Sequence, residues 1–241
     1  MYNFHWEVIA QYGSTFGGAL LTTIYLSVLG ELVGIVAGLL IALLRLSPLR
    51  LVRVLAGIYI DFFRGVPLLI VLIWIYFALP ALTGLNLDPL TASVAGLGLT
   101  YAAYLAEVFR AGIQAIPRGQ REAAFTLGFS DLQTLRKIIL PQAIRIVIPP
   151  LGNSFVGILK DSSLVAVIGE VDLLRQAMVI TSQTFRPLEV YTFVALLYYA
   201  LTLVAARAIN LAERRFAIVK TPRSAGQTLW QRATRGLTRS A

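Results

Sequence analysis

Cysteine is absent from this 241-residue chain, and histidine occurs once, as His5. Those absences exclude a disulfide framework, a thiol nucleophile and an iron–sulfur site. They also leave no His/Cys cluster for a metal. Charge is scarce: only 14% of residues are Asp, Glu, Lys or Arg, where soluble domains carry roughly a quarter. No G-x-x-x-x-G-K-[ST] run occurs, so the chain cannot cradle nucleotide phosphates in that manner. Carboxylates and hydroxyls remain, and none falls in a recognisable acid–base or nucleophile motif, so no catalytic residue is assigned and no enzyme is expected. The net charge of +9 is not gathered on one soluble face, which argues against nucleic acid as a partner. The basic residues sit instead in particular loops, which is a topology signal.

Apolar residues make up 57% of the chain, and mean hydropathy is +0.75. The pattern predicts an all-α polytopic membrane protein with five spans near 18–44, 52–79, 90–111, 143–169 and 190–211. Each has about 20 or more mainly apolar residues, enough for ~30 Å of hydrocarbon. The first apolar run is too long for a signal peptide and has no basic residue before it. Residues 1–17 carry no Lys or Arg, and neither does 80–89. The first loop carries Arg45, Arg50 and Arg53; the third carries Arg118, Arg121, Arg136 and Lys137; the tail carries Arg214, Arg215 and Lys220. Loops one and three and the tail are therefore expected inside, with the N-terminus outside and the C-terminus in the cytoplasm. Residues 1–220 read as one membrane domain without an internal repeat. Residues 221–241 read as a basic, polar cytoplasmic tail.

Between the third and fourth spans lies a polar, basic island over 112–142. Its punctuation predicts two short helices and a turn. Pro117 suits a first-turn position. Gly128 suits the left-handed position that closes a helix. Ser130 and Gln133 have capping-box spacing for the second helix. Leu132, Leu135 and Ile139 then form an apolar stripe beside Arg136 and Lys137, and Pro141 is expected to end the helix. A rigid helical knob with an apolar stripe and a charged rim is suited to docking in a partner's groove.

The island resembles the E-A-A-x3-G-x9-I-x-L-P loop of the permease subunits of bacterial ATP-binding cassette (ABC) importers. Glu122, Ala123, Ala124, Gly128, Ile138, Leu140 and Pro141 match every defined position. The resemblance implies that these residues couple the chain to a separate cytoplasmic ATPase. Three further runs resemble the polar amino acid subfamily. Asp61-Phe62-Phe63-Arg64-Gly65-Val66-Pro67 is similar to its E-x-x-R-G-T-P segment, with Asp for Glu and Val for Thr. Tyr104–Gly112 is similar to its A-Y-x-A-E-x-x-R-A-G run, and Lys160–Leu164 to its K-[DE]-[ST]-[SA]-L run.

The residues of these runs allow separate readings. Asp61 with Arg64 and Glu107 with Arg110 stand at i,i+3 and can pair, which predicts a four-charge network bracing the inner end of the bundle. Gly65 and Pro67 predict a break or kink, and the tandem Pro149-Pro150 forbids a straight regular helix. Lys160 and Asp161 fall in the outer half of the membrane, ~25 Å along the fourth span. Charges at that depth are costly and mark a pathway; a bundle-locking ion pair is the alternative. Ser162, Thr100, Tyr101 and Tyr104 either face a substrate path or bond between helices. Glu31 stands alone among apolar residues of the first span and needs a cavity, a partner or protonation. It either pairs with a cation of another span or tunes specificity toward cationic substrates.

The resemblance implies a transmembrane subunit of an inner-membrane importer for polar amino acids, working by alternating access. It implies a second permease chain, identical or homologous, two cytoplasmic ATPase subunits and an extracytoplasmic binding protein. ATP and Mg would bind the ATPase, and no cofactor this chain. An ion-coupled secondary transporter or channel is the rival. It would share the buried charges but would not need the docking knob.

Overall fold

The computed structural model describes residues 3–216, so the tail over 221–241 lies outside the described residues. Those residues form helices without strands. In chain order they are α1 (Glu7–Gln11), α2 (Gly13–Arg45), α3 (Arg50–Gly65), α4 (Leu68–Thr83), α5 (Pro89–Gln114), α6 (Arg118–Thr126), α7 (Asp131–Ile168), α8 (Leu173–Thr184) and α9 (Pro187–Phe216). Helices α2, α5, α7 and α9 are each long and apolar enough to cross a membrane. The count reaches five if α3 and α4 together make one span.

The expected second span over 52–79 is not one helix. It breaks between α3 and α4 with a bend of 104°. Val66 and Pro67 leave helical geometry for extended backbone, with ψ of 131° and 134°. Proline disfavours α geometry in the residue before it and offers no N–H of its own, so the chain turns here.

Helices α2 and α5 pack backbone to backbone. Gly30, Gly34 and Gly38 recur every four residues on one face of α2 and are buried. A Cβ at Gly38 would lie 2.9 Å from the carbonyl of Ala102, and one at Gly34 would lie 3.2 Å from Cβ of Tyr101. A side chain at Gly38 would strike backbone and one at Gly34 would crowd Tyr101; small residues of this kind let membrane helices reach dispersion contact without a hydrophobic drive between them. The central core gathers Leu26, Leu72, Leu97, Ile158 and Val165. A second cluster of Phe16, Leu173, Ile180 and Val190 holds α8 and α9 against α2.

Helix α8 had no counterpart among the expected elements. Its start is set by Asp172, which is buried and accepts from the N–H groups of Leu174 (3.2 Å) and Arg175 (2.8 Å) and from the Tyr198 hydroxyl (3.0 Å). Burial pushes that carboxyl above the usual range, and those donors oppose the rise. The N–H of Leu173 donates to Thr23 on α2.

The island folds as two helices and a turn. Gly128 has φ +77°, the N–H of Gly128 donates to Phe125 (2.9 Å), and that of Phe129 reaches back to Ala124 (3.0 Å). This pair of bonds is the Schellman closure. Ser130 and Gln133 exchange both capping-box bonds. Pro141, however, does not end the second helix: α7 runs unbroken from the island into the membrane. A π-helical turn over Leu135–Ile139 precedes the proline. There the Leu140 N–H donates to the Leu135 carbonyl, five residues back. The helix also passes through Pro149 and Pro150. Two carbonyls one turn earlier, Arg145 and Ile146, lose their usual donors there.

Candidate functional site

The α3–α4 break opens a cavity of about 640 Å³ against α5 and α7. That is within the ~300–1,000 Å³ usual for small-molecule sites. Its polar lining is Arg64, Thr100, Tyr101, Tyr104, Ser154 and Asp161. Each arrives by a local rule. Arg64 is placed at the end of α3 because Gly65 and Pro67 stop the helix there, and its guanidinium lies over the Tyr104 ring at 5.5 Å. Leu68 opens α4, and the first N–H groups of a helix have no intrahelical acceptor. Arg64 and that helix start make one side of the cavity electropositive.

The other side is acidic. The Tyr101 hydroxyl donates to Asp161 Oδ2 at 2.9 Å. The Ser154 hydroxyl donates to Glu31 Oε2 at 3.2 Å, joining α2 to α7. Glu31 is only 5% exposed, and its Oε1 has no hydrogen-bond partner. Thr100 Oγ1 is likewise buried and unpartnered at the cavity wall. The cavity lining thus brings together one guanidinium, Arg64, and one carboxylate, Asp161.

Several sequence expectations change here. Lys160 and Asp161 do not form an ion pair: Lys160 is exposed, whereas Asp161 turns into the cavity. Ser162 does not line the cavity either; it is buried and donates to the Leu159 carbonyl at 2.8 Å. Lys160 and Asp161 are the last two residues of the α-helical stretch, where successive side chains project about 100° apart and so fall on different faces. The four-charge network forms only in part. Glu107 and Arg110 pair at 2.6 Å. Asp61 is exposed and makes no ion pair among the described residues, and Arg64 takes the Tyr104 ring instead. Ser154 was missed as a site residue. The signal was the polar pair Asn153-Ser154 inside an apolar span, one turn after two prolines. Among the described residues no group of His, Asp and Glu could hold a metal ion.

In the island between α5 and α7, Glu122 and Ala123 are exposed and Ala124 is buried. The expected stripe divides. Leu132 (61% exposed) and Leu135 face outward, whereas Ile139 turns into the protein. Phe125 and Leu127 join Leu132 as exposed apolar side chains. Ile138 is half-buried, and Leu140 and Pro141 are exposed. Gln142 donates to Gln120 at 2.6 Å, tying α7 back to α6. Lys137 sits over the Phe129 ring at 5.7 Å.

A helical bundle with long apolar spans, a bipolar cavity between them and a capped helical knob at one end defines a membrane transport subunit rather than an enzyme. The chain belongs to the family of binding-protein-dependent transport system inner membrane components, matched over residues 34–218. It is 42% identical to a probable amino-acid ABC transporter permease protein, YckA, of Bacillus subtilis, over 81% of this chain and 86% of that one. It is 40% identical to the glutamine transport system permease protein GlnP of Escherichia coli, over 82% and 90%. Among solved structures, an amino acid ABC transporter with histidines is 39% identical and superposes with a TM-score of 0.84, covering 89% of this chain and all (100%) of that one.

Proposed function

We propose that this chain is the permease subunit of an ABC importer for polar amino acids and that the bipolar cavity is its substrate station. The cavity carries the reading. Arg64 and the start of α4 suit an α-carboxylate, while Asp161 with Tyr101 suits an α-ammonium group. Thr100 and Tyr104 complete the lining. The names of the curated relatives support amino acids as the cargo class.

ATP and Mg would be held by a separate pair of ATPase subunits, since this chain has no phosphate loop. Each ATPase would receive the knob formed by Glu122, Ala123, Ala124, Gly128, Ile138, Leu140 and Pro141. Because α7 runs without a break from the knob to Asp161, a push on the knob reaches the cavity through one rigid element. Closure of the ATPase pair would tilt α7 and open the cavity outward, and hydrolysis would reset it. A second permease chain would complete the path, and an extracytoplasmic binding protein would deliver the substrate.

This mechanism requires the knob in the cytoplasm, the N-terminus outside and the C-terminus inside, as the Lys/Arg distribution indicates. The native chain has no Cys, so single cysteines report without background. In intact cells Thr83→Cys is expected to react with an impermeant maleimide, and Ser130→Cys only after lysis. The reverse pattern would place the knob outside and remove it from any ATPase.

A further inference from the structure

A second cavity, of about 430 Å³, lies between the knob and the ends of two spans. Gly30, Gly34 and Gly38 of α2 meet Leu97, Tyr101 and Leu105 of α5 in that order. The two helices therefore run in parallel and end at one level, where the spans leave the bilayer. Leu46, just past the end of α2, and Ile113 and Gln114, at the end of α5, form one wall of the cavity. Arg118 and Arg121 of α6 and Ile139 of α7 form the other. The titratable residues of this lining are both arginines. Neither makes an ion pair or a side-chain hydrogen bond among the described residues. Glu122 stands one turn after Arg118 and does not reach it. Arg121 stands one turn before Ala124, the buried residue of α6, so it lies on the flank turned toward the bundle. The Gln114 side-chain carbonyl already accepts from Arg110, which leaves the amide of Gln114 to donate. Two guanidinium groups share one cavity with no carboxylate in its lining, beside apolar walls. An anion relieves that repulsion.

We propose that this cavity is the headgroup site of an anionic phospholipid. The lipid phosphate sits between Arg118 and Arg121, since guanidinium groups pair with phosphate oxygens in a fixed fork geometry. The Gln114 amide donates to the headgroup. Leu46, Ile113 and Ile139 take the glycerol and the first methylenes of a chain. The chain then follows Leu43, one turn earlier on α2 and exposed, into the leaflet. An amino acid would leave its ammonium group without an acid here, and a metal cation would be repelled. Basic pockets between membrane helices suit anionic headgroups on the cytoplasmic side, where the Lys/Arg distribution puts this end of the bundle. A lipid bound there bridges α6 to the ends of α2 and α5 and steadies the knob against the spans. The site is separate from the cavity at the α3–α4 break and shares no lining residue with it.

The test titrates the full chain, purified and delipidated in neutral detergent, with phosphatidylglycerol or phosphatidylcholine. Native mass spectrometry counts the lipids bound per chain and gives the Kd of the first. Wild type is expected to bind one phosphatidylglycerol about 25-fold more tightly than phosphatidylcholine, roughly fivefold for each arginine. Arg118→Gln with Arg121→Gln should bring that ratio close to one. Each single change should remove roughly fivefold of the preference, and the two single variants carry the test if the double variant does not fold. Arg121→Lys, which keeps the charge, should retain most of it. Arg136→Gln with Lys137→Gln removes the same charge from exposed positions outside the cavity and should leave the preference in place. Millimolar inorganic phosphate, at constant ionic strength, should not displace the lipid, because it has no chain to set on the apolar wall. An unchanged preference in the Arg118 and Arg121 variants overturns the inference. An equal loss in the Arg136 and Lys137 variant also overturns it and leaves only a general attraction between a basic surface and anionic lipid. Displacement by inorganic phosphate overturns the lipid assignment and gives the cavity to a free phosphate.

Discussion

Gly128→Pro is expected to abolish ATP-driven uptake while the chain still inserts in the membrane. Gly128 has φ +77°, and proline is held near −65°. Proline also lacks the N–H that closes α6 on Phe125. The change therefore destroys the turn between α6 and α7 rather than adjusting it, and the relation of Glu122 to Leu132 is lost. The apolar spans, which begin beyond the knob, keep their packing. Glu122→Lys tests the same surface by another route. Glu122 is exposed, so reversal of its charge leaves the fold intact and repels whatever complementary charge a partner offers. Uptake in proteoliposomes, normalised to the amount of assembled complex, checks both. Normal uptake in the pair would remove the knob from coupling.

Asp161→Asn is expected to lower transport about a hundredfold, from a loss of ~2–5 kcal/mol when one partner of a buried, hydrogen-bonded charge contact is truncated. The substitution keeps the shape and leaves the Tyr101 hydroxyl an acceptor, so thermal stability should change little. Lys160→Met should have a small effect, because Lys160 is exposed and is not among the residues lining the cavity. The double change Lys160→Met with Asp161→Leu discriminates further. If the two residues formed a bundle lock, an apolar pair would replace it at little cost and transport would recover. Here Asp161 bonds Tyr101 instead, and the double variant is expected to stay inactive. Recovery of transport in it would refute a substrate-facing Asp161.

Local grammar made much of this protein legible from sequence. The left-handed Gly128, the Ser130–Gln133 capping box and the break at Gly65–Pro67 are each decided within a few residues, and each takes the expected form. Features that depend on distant partners were not legible. Glu31 announced a need for a partner, but Ser154 is 123 positions away. Arg64 had an acid three residues before it, yet the helix break swings it onto Tyr104 of another helix. Lys160 and Asp161 are adjacent in sequence and, as helical neighbours about 100° apart, fall on different faces. Pro141 was a sound stop signal, yet after a π-helical turn the helix continues through it. The glycines at 30, 34 and 38 could have been read as a close-packing stripe. Asp172 before Leu173 was a visible N-cap for α8.

The central claim is that import through this chain is driven by a separate ATPase. Its most direct measurement is uptake of labelled amino acid into proteoliposomes holding the chain alone, or the chain with its ATPase and binding protein. Each preparation is assayed with ATP inside, and separately with a proton or sodium gradient and no ATP. The account predicts uptake only in the full assembly with ATP, and none from a gradient. Gradient-driven uptake by the chain alone would contradict it and favour an ion-coupled transporter.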